Sequence, residues 1–186
     1  MRQSKKRIHI FLTGFMGAGK SRIGKSLAQQ FGYRFYDSDD LIEQSVGKRI
    51  KDIFEEYGEE QFRMIESKEI GKLCRGKDPA VISLGGGAIQ NEDNFTLIQK
   101  YGISVYIASS PEAILNRVKH TSVRPLLNVG KGKNFNARLL KRITDLLNER
   151  IPTYEKSDIT INRDGMELDE IVDLIYKKIQ HIRIPT

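Results

Sequence analysis

The sequence has little cysteine and no long apolar run. Its 186 residues include one cysteine, Cys74, so no disulfide can form within the chain, which fits a reducing compartment. We interpret Cys74 as a small buried or half-buried residue on a helix. The run IHIFLT at 8–13 is too short for a signal core. No stretch approaches the ~20 apolar residues of a membrane span, so we expect a cytoplasmic protein with no membrane partner.

Composition and charge narrow the class of protein. Hydrophobic residues make up 39% of the chain and charged residues 30%, and its length suits one domain over 1–186. The net charge of +7 is compatible with nucleic acid or with small anionic ligands. The basic residues are scattered and interrupted by acidic segments such as EEYGEE at 55–60, with no aromatic-interleaved basic stripe. We therefore expect no nucleic-acid partner, although charge alone does not decide this.

Short apolar runs alternate with amphipathic stretches along the chain. We predict strands at 7–13, 33–37, 80–84, 103–108 and 158–161, and helices at 19–31, 38–47, 50–74 (with a turn near Gly58), 92–101, 110–119, 136–150 and 167–182. This alternation predicts a three-layer α/β/α domain with a five-stranded parallel sheet. The strands are continuously apolar, which predicts helices on both faces. Residues 120–135 are rich in turn formers and basic residues, which predicts a mobile lid.

The segment GFMGAGKS at 14–21 fits the pattern G-x-x-x-x-G-K-[ST] between the first strand and the first helix. Its glycines let backbone N–H groups turn inward around phosphates, and the following helix N-terminus favours an anion. In such a loop Lys20 reaches the β and γ phosphates, and the Ser21 hydroxyl ligates Mg²⁺. The motif predicts a nucleoside triphosphate binder and leaves the acceptor open. The chain has no N-K-x-D motif of a GTPase.

Two aspartates follow the second predicted strand, at the edge where open α/β sheets bind ligands. Asp37 is the candidate metal-side carboxylate, and Asp39 is the candidate group that accepts the proton of an attacking hydroxyl or orients it. The alternative is that Asp37, Ser38 or Asp39 caps the next helix.

Three further features are each open to two interpretations. Arg63 and Glu66 lie three apart on one helical face, either as a surface pair or as an arginine aimed at an anionic acceptor. Glycines 85–87 end the third strand, as a loose turn or as a close approach for a ligand. Arg150 continues the apolar face of its helix, where it either caps the last carbonyls or grips a carboxylate.

Arg124 lies in the predicted lid and precedes a proline. It is either a solvated loop residue or an arginine that closes over the transferring phosphoryl group and neutralises its charge.

Taken in order, these motifs resemble those of the shikimate kinases. The set is GFMGAGKS (14–21), DSD (37–39), FRMIE (62–66), GGG (85–87), RPLL (124–127) and RIPTY (150–154). The resemblance covers 8–154, most of the chain. It implies transfer of the γ-phosphoryl group of ATP to the 3-hydroxyl of shikimate, with Mg²⁺, on the route to chorismate and the aromatic amino acids. It also implies a monomer.

The resemblance assigns expected roles to individual residues. The nucleotide site would comprise Gly17, Ala18, Gly19, Lys20, Ser21, Arg22, Arg117 and Arg124. The metal site would comprise Ser21 and Asp37, and the shikimate site Asp39, Arg63, Gly86, Gly87 and Arg150. The catalytic residues would be Lys20, Asp39 and Arg124. Arg163, in INRDG at 161–165, is a weaker candidate for the adenine side.

Two other functions compete with this interpretation. Another small-metabolite kinase, such as a gluconate kinase, would share 14–21 without needing the paired arginines. A basic regulatory or nucleic-acid-binding protein could use ATP only as a ligand.

Overall fold

The computed structural model describes residues 9–119, 125–127, 129–130 and 132–183. The strands are β1 (His9–Thr13), β2 (Arg34–Asp37), β3 (Ala80–Ser83), β4 (Gly102–Ala108) and β5 (Ile159–Asn162). The helices are α1 (Lys20–Phe31), α2 (Ser38–Val46), α3 (Ile50–Cys74), α4 (Glu92–Tyr101), α5 (Pro111–Val118), α6 (Phe135–Tyr154) and α7 (Leu168–Arg183). Two 3₁₀ turns span Ala88–Gln90 and Pro125–Leu127. In the predicted lid, residues 120–124, which include Arg124, and residues 128 and 131 lie outside the described ranges.

The five strands form one parallel sheet in the order β2-β3-β1-β4-β5. The central strand β1 pairs with β3 and β4, so that Leu12 lies beside both Ser83 and Val105. Because all strands run in the same direction, their carboxyl ends meet at one edge of the sheet. The glycine loop after β1, the two aspartates at and beyond the end of β2 and the glycine run after β3 therefore converge there.

Alternate residues of β1 enter two separate hydrophobic cores. Phe11 packs in a cluster with residues of α3, α4, α5 and α6, whereas Ile10 and Leu12 pack with α1 and α7. The period of two along a strand sends neighbouring side chains to opposite faces, so both faces are covered. The predicted three-layer α/β/α arrangement with five parallel strands is confirmed.

The edge strand β5 departs from the prediction that every strand is covered on both faces. Ile159 and Ile161 are buried against the α7 side, while Thr160 and Asn162 are exposed. Because β5 is outermost, the helices on the other face of the sheet do not cover it. The prediction of two covered faces is therefore wrong for this strand.

Helix α6 continues four residues beyond its predicted end, through Pro152. Proline removes one backbone hydrogen bond from the last turn. Burial compensates for this loss, because Tyr154 is fully buried and stacks on Tyr106 with 4.9 Å between ring centroids. Arg150 consequently lies a full turn before the helix end.

Helix α3 contains the predicted turn near Gly58. Gly58 has φ 80° and ψ 174°, which interrupts the helix between its two halves. Near the end of this helix Cys74 is fully buried, as expected, and burial raises the pKa of its thiol to about 11. In the part of the chain that the structure describes, no helix is long and apolar enough to cross a membrane.

We expect Ile175→Ala to lower the free energy of unfolding by about 2–5 kcal/mol, because Ile175 is fully buried between α7 and the sheet. Leu174→Ala is the matched control, since Leu174 is the adjacent residue and its side chain is only partly buried. Denaturant unfolding measures both. Equal losses for the two variants would contradict the position of this core.

Candidate active site

The glycine loop at 14–21 connects β1 to the first turn of α1. Gly19 precedes the helix with φ 87° and ψ 17°, a conformation that favours glycine. Lys20 is 8% exposed, and its Nζ donates to the carbonyls of Gly14 at 2.8 Å and Phe15 at 3.1 Å. The amide of Ala18 also donates to Phe15 at 3.1 Å. These bonds hold the loop in a closed turn with a buried ammonium group at its base.

Ser21 and Asp37, the predicted metal pair, lie in direct contact. The Ser21 hydroxyl donates to Asp37 Oδ2 at 2.6 Å, and the Ser83 hydroxyl is 3.4 Å away. Asp37 also caps α2, because its Oδ1 accepts from the Asp39 amide at 3.1 Å. Asp37 therefore both caps α2 and contacts Ser21.

The donor chemistry of this pair suits a hard cation. Mg²⁺ prefers oxygen ligands and in phosphate-transfer sites takes one or two protein oxygens, with phosphate and water supplying the rest. No group of three His, Cys, Asp or Glu side chains that could hold a metal occurs among the described residues. Ser21 and Asp37 thus fit a nucleotide-bound magnesium ion, and not an ion held by protein alone.

A cavity of about 470 Å³ opens beside the glycine loop, between α2, α3 and α6. It collects the predicted acceptor residues from four separate stretches of chain: Asp39, Arg63, Glu66, Gly85–Gly87 and Arg150. Arg117 of α5 also lines it. The structure therefore brings together the predicted acceptor site and one arginine of the predicted nucleotide site.

Arg63 is held between two glutamates. Its Nη1 donates to Glu66 Oε2 at 2.7 Å, while Nε and Nη2 donate to Glu59 Oε1 at 3.3 and 3.0 Å. These bonds use three of the five N–H groups of a guanidinium and fix its plane. The Glu66 side chain is 1% exposed, so the surface-pair interpretation is wrong. Sequence analysis missed Glu59, whose signal is its spacing of four residues from Arg63 on one helix.

The surroundings of the buried Glu66 carboxylate act on its pKa in opposite directions. Burial raises its pKa, the neighbouring Arg63 lowers it, and the nearby Asp39 raises it further. Its Oε1 has no hydrogen-bond partner among the described residues. A buried charge is tolerated when it is paired, and Arg63 provides that pairing.

Gly85 allows the two carboxylates to approach the glycine run. A Cβ at this position would lie 2.6 Å from Glu66 Oε1 and 2.8 Å from Asp39 Oδ1. The Gly85 amide donates to the Ser38 hydroxyl at 2.9 Å, which ties the run to the residues after β2. The loose-turn interpretation of the glycines is therefore wrong.

Gly87 allows the side chain of Arg63 to approach the glycine run closely. A Cβ there would lie 2.6 Å from Arg63 Nη2. Glycine at this position lets the guanidinium lie against the backbone, at the wall of the cavity.

Arg150 enters the site from the opposite side. It is 6% exposed, and its Nη1 donates to the Gly86 carbonyl at 3.2 Å. Its guanidinium carbon lies 5.8 Å from the centre of the Phe15 ring. Tyr154, which sequence analysis missed, donates to the same carbonyl one helical turn later. Because α6 continues to Tyr154, the interpretation of Arg150 as a helix cap is wrong.

Arg117 lies under the glycine loop. Its Nη1 donates to the Ser109 hydroxyl at 2.8 Å and to the Gly17 carbonyl at 3.4 Å. Its Nη2 lies 3.5 Å from Asp164 Oδ1. Arg22, by contrast, is exposed on α1.

Asp164 was missed by sequence analysis, although it directly follows Arg163. It accepts hydrogen bonds from the Ser109 hydroxyl and from the Ser110 amide, the latter at 2.7 Å. Partial burial raises its pKa, but these bonds and Arg117 outweigh burial and lower the pKa to about 2.

The fold and the site define a class of protein. A triphosphate-binding loop beside a cavity with a carboxylate and two converging arginines is the arrangement of a P-loop kinase for a small anionic acceptor. A sequence model described as shikimate kinase matches residues 16–180 of this chain. The chain belongs to the shikimate kinase family, which confirms the resemblance found in its motifs and the enzyme class.

Individual relatives agree with this assignment. A shikimate kinase of Chlorobaculum parvum is 41% identical over 176 residues, covering 94% of each chain. The solved structure of a shikimate kinase from Acinetobacter baumannii in complex with shikimate superposes with a TM-score of 0.87 at 32% identity, covering 97% of each chain. A gluconokinase from Sinorhizobium meliloti superposes with a TM-score of 0.57 at 17% identity, covering 96% of this chain and all of its own, and so shares the fold alone.

We expect Asp164→Asn to lower the free energy of unfolding near neutral pH. A depressed pKa contributes stability above the unfolded value of about 4, and this stability is lost as the pH falls toward 2. The difference between the variant and the parent protein should therefore shrink across this interval. Denaturant unfolding between pH 2 and pH 7 tests this.

The control for that measurement is Asp145→Asn, since Asp145 pairs with Lys141 on the exposed face of α6. It should show little change at any pH. A pH-independent difference for Asp164→Asn would contradict the role assigned to its charge.

Proposed function

We propose that the protein transfers the γ-phosphoryl group of ATP to the 3-hydroxyl of shikimate, giving shikimate 3-phosphate and ADP. One observation carries this proposal most directly. Arg63 and Arg150 reach the same cavity from opposite sides of the glycine run, beside the phosphate loop. Two guanidinium groups suit a planar carboxylate better than ammonium groups would, because each offers paired N–H donors.

The nucleotide triphosphate would lie along the loop formed by Gly17, Ala18, Gly19 and Lys20. Inward backbone N–H groups, the N-terminus of α1 and the Lys20 ammonium would bind its phosphates. Arg117 lies near the Gly17 carbonyl and would contact the nucleotide beyond the phosphates. Arg22 and Arg124 belong to this assignment through the family resemblance, and Arg124 lies outside the described residues.

Magnesium would be ligated by the Ser21 hydroxyl, with Asp37 supporting its shell. The contact between the two side chains at 2.6 Å supports this assignment. When bound, the ion would neutralise charge on the phosphates during transfer.

Asp39 would receive or orient the proton of the attacking hydroxyl. It lines the acceptor cavity, and its carboxylate lies against Gly85 at the end of the glycine run. The hydroxyl oxygen would form a bond to the γ-phosphorus as the bond to the ADP oxygen breaks. Such transfer depends chiefly on positioning and charge stabilisation, so Asp39 orients the acceptor whether or not it takes the proton early.

Closure of the segment 120–135 over the phosphates would exclude water as a competing acceptor. Leu127 is buried in the core and Leu126 lines the cavity, so the described turn Pro125–Leu127 lies beside the proposed acceptor site. We further propose one domain over 1–186, a monomeric state, and no role for nucleic acid or membrane.

The test is ADP release from Mg²⁺ and ATP by the purified protein, with shikimate, with gluconate and with no acceptor. We expect release that depends on shikimate and is lost in Asp39→Asn, which should still bind ATP. Gluconate-dependent release would favour the metabolite-kinase alternative. ATP binding without any acceptor dependence would favour a regulatory protein, and salt-sensitive binding to generic DNA would support that outcome.

We expect Gly87→Ala to raise the KM for shikimate about tenfold or more with a smaller effect on the KM for ATP. The added methyl group would displace Arg63 Nη2, and a charged hydrogen bond contributes about 1.5–3 kcal/mol. Steady-state kinetics with each substrate varied in turn measures the two constants.

Gly71→Ala is the matched control. A Cβ at Gly71 would lie 2.9 Å from Arg75 Nη1, so it also meets an arginine, but one outside the cavity. Its KM values should remain those of the parent protein. An unchanged KM for shikimate in Gly87→Ala would remove Arg63 from the acceptor site.

A further inference from the structure

Arg163 directly follows β5 and reaches the phosphate loop with its side chain. Its Nη1 donates to the Ala18 carbonyl at 2.7 Å. Its own backbone is fixed at both ends, because its amide donates to the Ala108 carbonyl at 3.1 Å and its carbonyl accepts from the Met166 amide at 3.2 Å. A long side chain anchored in this way holds one peptide of the loop in a defined orientation.

The orientation of that peptide determines where the next N–H group points. In a trans peptide the C=O of Ala18 and the N–H of Gly19 point in opposite directions. Since the Ala18 carbonyl points toward Arg163, the Gly19 N–H is directed away from it, as a donor that a phosphate group can accept from. A Cβ at Gly19 would collide with the Arg163 guanidinium, so this contact also requires glycine.

The charge around Arg163 favours a polyanion at the loop. Burial lowers the pKa of Arg163, and the positive charges of Arg117 and Arg22 lower it further, against the opposing effect of Asp164. Its buried Nε has no hydrogen-bond partner among the described residues. Arg163 and Arg117 thus share the carboxylate of Asp164, Arg22 adds a further positive charge nearby, and phosphate groups would relieve this repulsion.

We propose that Arg163 is a positioning residue for the phosphate-binding loop, which it holds through the Ala18 carbonyl so that the Gly19 N–H donates to a phosphate. This inference rests on the proposed nucleotide site but not on the identity of the acceptor. It differs from the adenine contact that the family resemblance implies for this position, because its target is the phosphate chain.

The test compares Arg163→Gln with the parent protein in the binding of ADP and of inorganic tripolyphosphate, measured by calorimetry without an acceptor. Both ligands carry the phosphate chain, but only ADP carries adenine. We expect both affinities to fall by about tenfold, since a charged hydrogen bond to the loop is lost. In turnover, the KM for ATP should rise while the KM for shikimate stays within about twofold of the parent value.

Arg75→Gln is the matched control. Arg75 also donates through Nη1 to a backbone carbonyl, that of Gly71 at 2.8 Å, but it lies before β3 at the opposite end of the sheet. This variant should bind both ligands as the parent protein does.

Two outcomes would overturn the proposal. Weaker binding of ADP with unchanged binding of tripolyphosphate would assign Arg163 to adenine, and unchanged binding of both would remove it from the site. If Arg163→Gln does not fold, Arg163→Lys serves for the same comparison, with a smaller loss expected for both ligands. Because these readouts need no acceptor, failure of the shikimate assignment would leave them interpretable.

Discussion

The buried ion pair between Arg63 and Glu66 is the interaction on which the proposed acceptor side of the site depends. A carboxylate that is 1% exposed would be costly without its arginine, and without that carboxylate the arginine would keep only its bonds to the exposed Glu59. Each partner therefore fixes the other. The pair is set on α3 beyond the break at Gly58, so it stays attached to the main core through the second half of that helix. The glycine run gives it space, because larger residues there would displace the carboxylate and the guanidinium.

The two sides of the site are held by the same device, which is an arginine that donates to a backbone carbonyl of a glycine-rich segment. Arg150 donates to Gly86 on the proposed acceptor side, and Arg163 donates to Ala18 on the proposed phosphate side. In each case the arginine supplies a donor to a backbone carbonyl, which is an obligatory hydrogen-bonding group. The parallel sheet makes this possible, since its carboxyl edge collects loops that are far apart in sequence.

Much of the fold and of the candidate site could be predicted from the sequence. The features that could not be predicted share one cause, which is contact that forms only in the folded chain. Period and turn residues predicted all five strands and the break at Gly58, because those signals are local. The predicted end of α6 at residue 150 was wrong, since burial of Tyr154 outweighs the effect of Pro152. Glu59, Tyr154 and Asp164 were missed because their roles arise from contacts made only in the folded chain. Their weak signals were helical spacing from Arg63 and Arg150 and adjacency to Arg163.

The central claim is that Arg150 and Arg63 bind the carboxylate of the acceptor. Calorimetry of shikimate and its methyl ester, with the parent protein and with Arg150→Gln, tests it most directly through a thermodynamic cycle. If the claim holds, the ester binds much more weakly than the acid to the parent protein, and this difference becomes much smaller in the variant. An equal difference between ester and acid in both proteins would show that Arg150 does not contact the carboxylate, and would contradict the account.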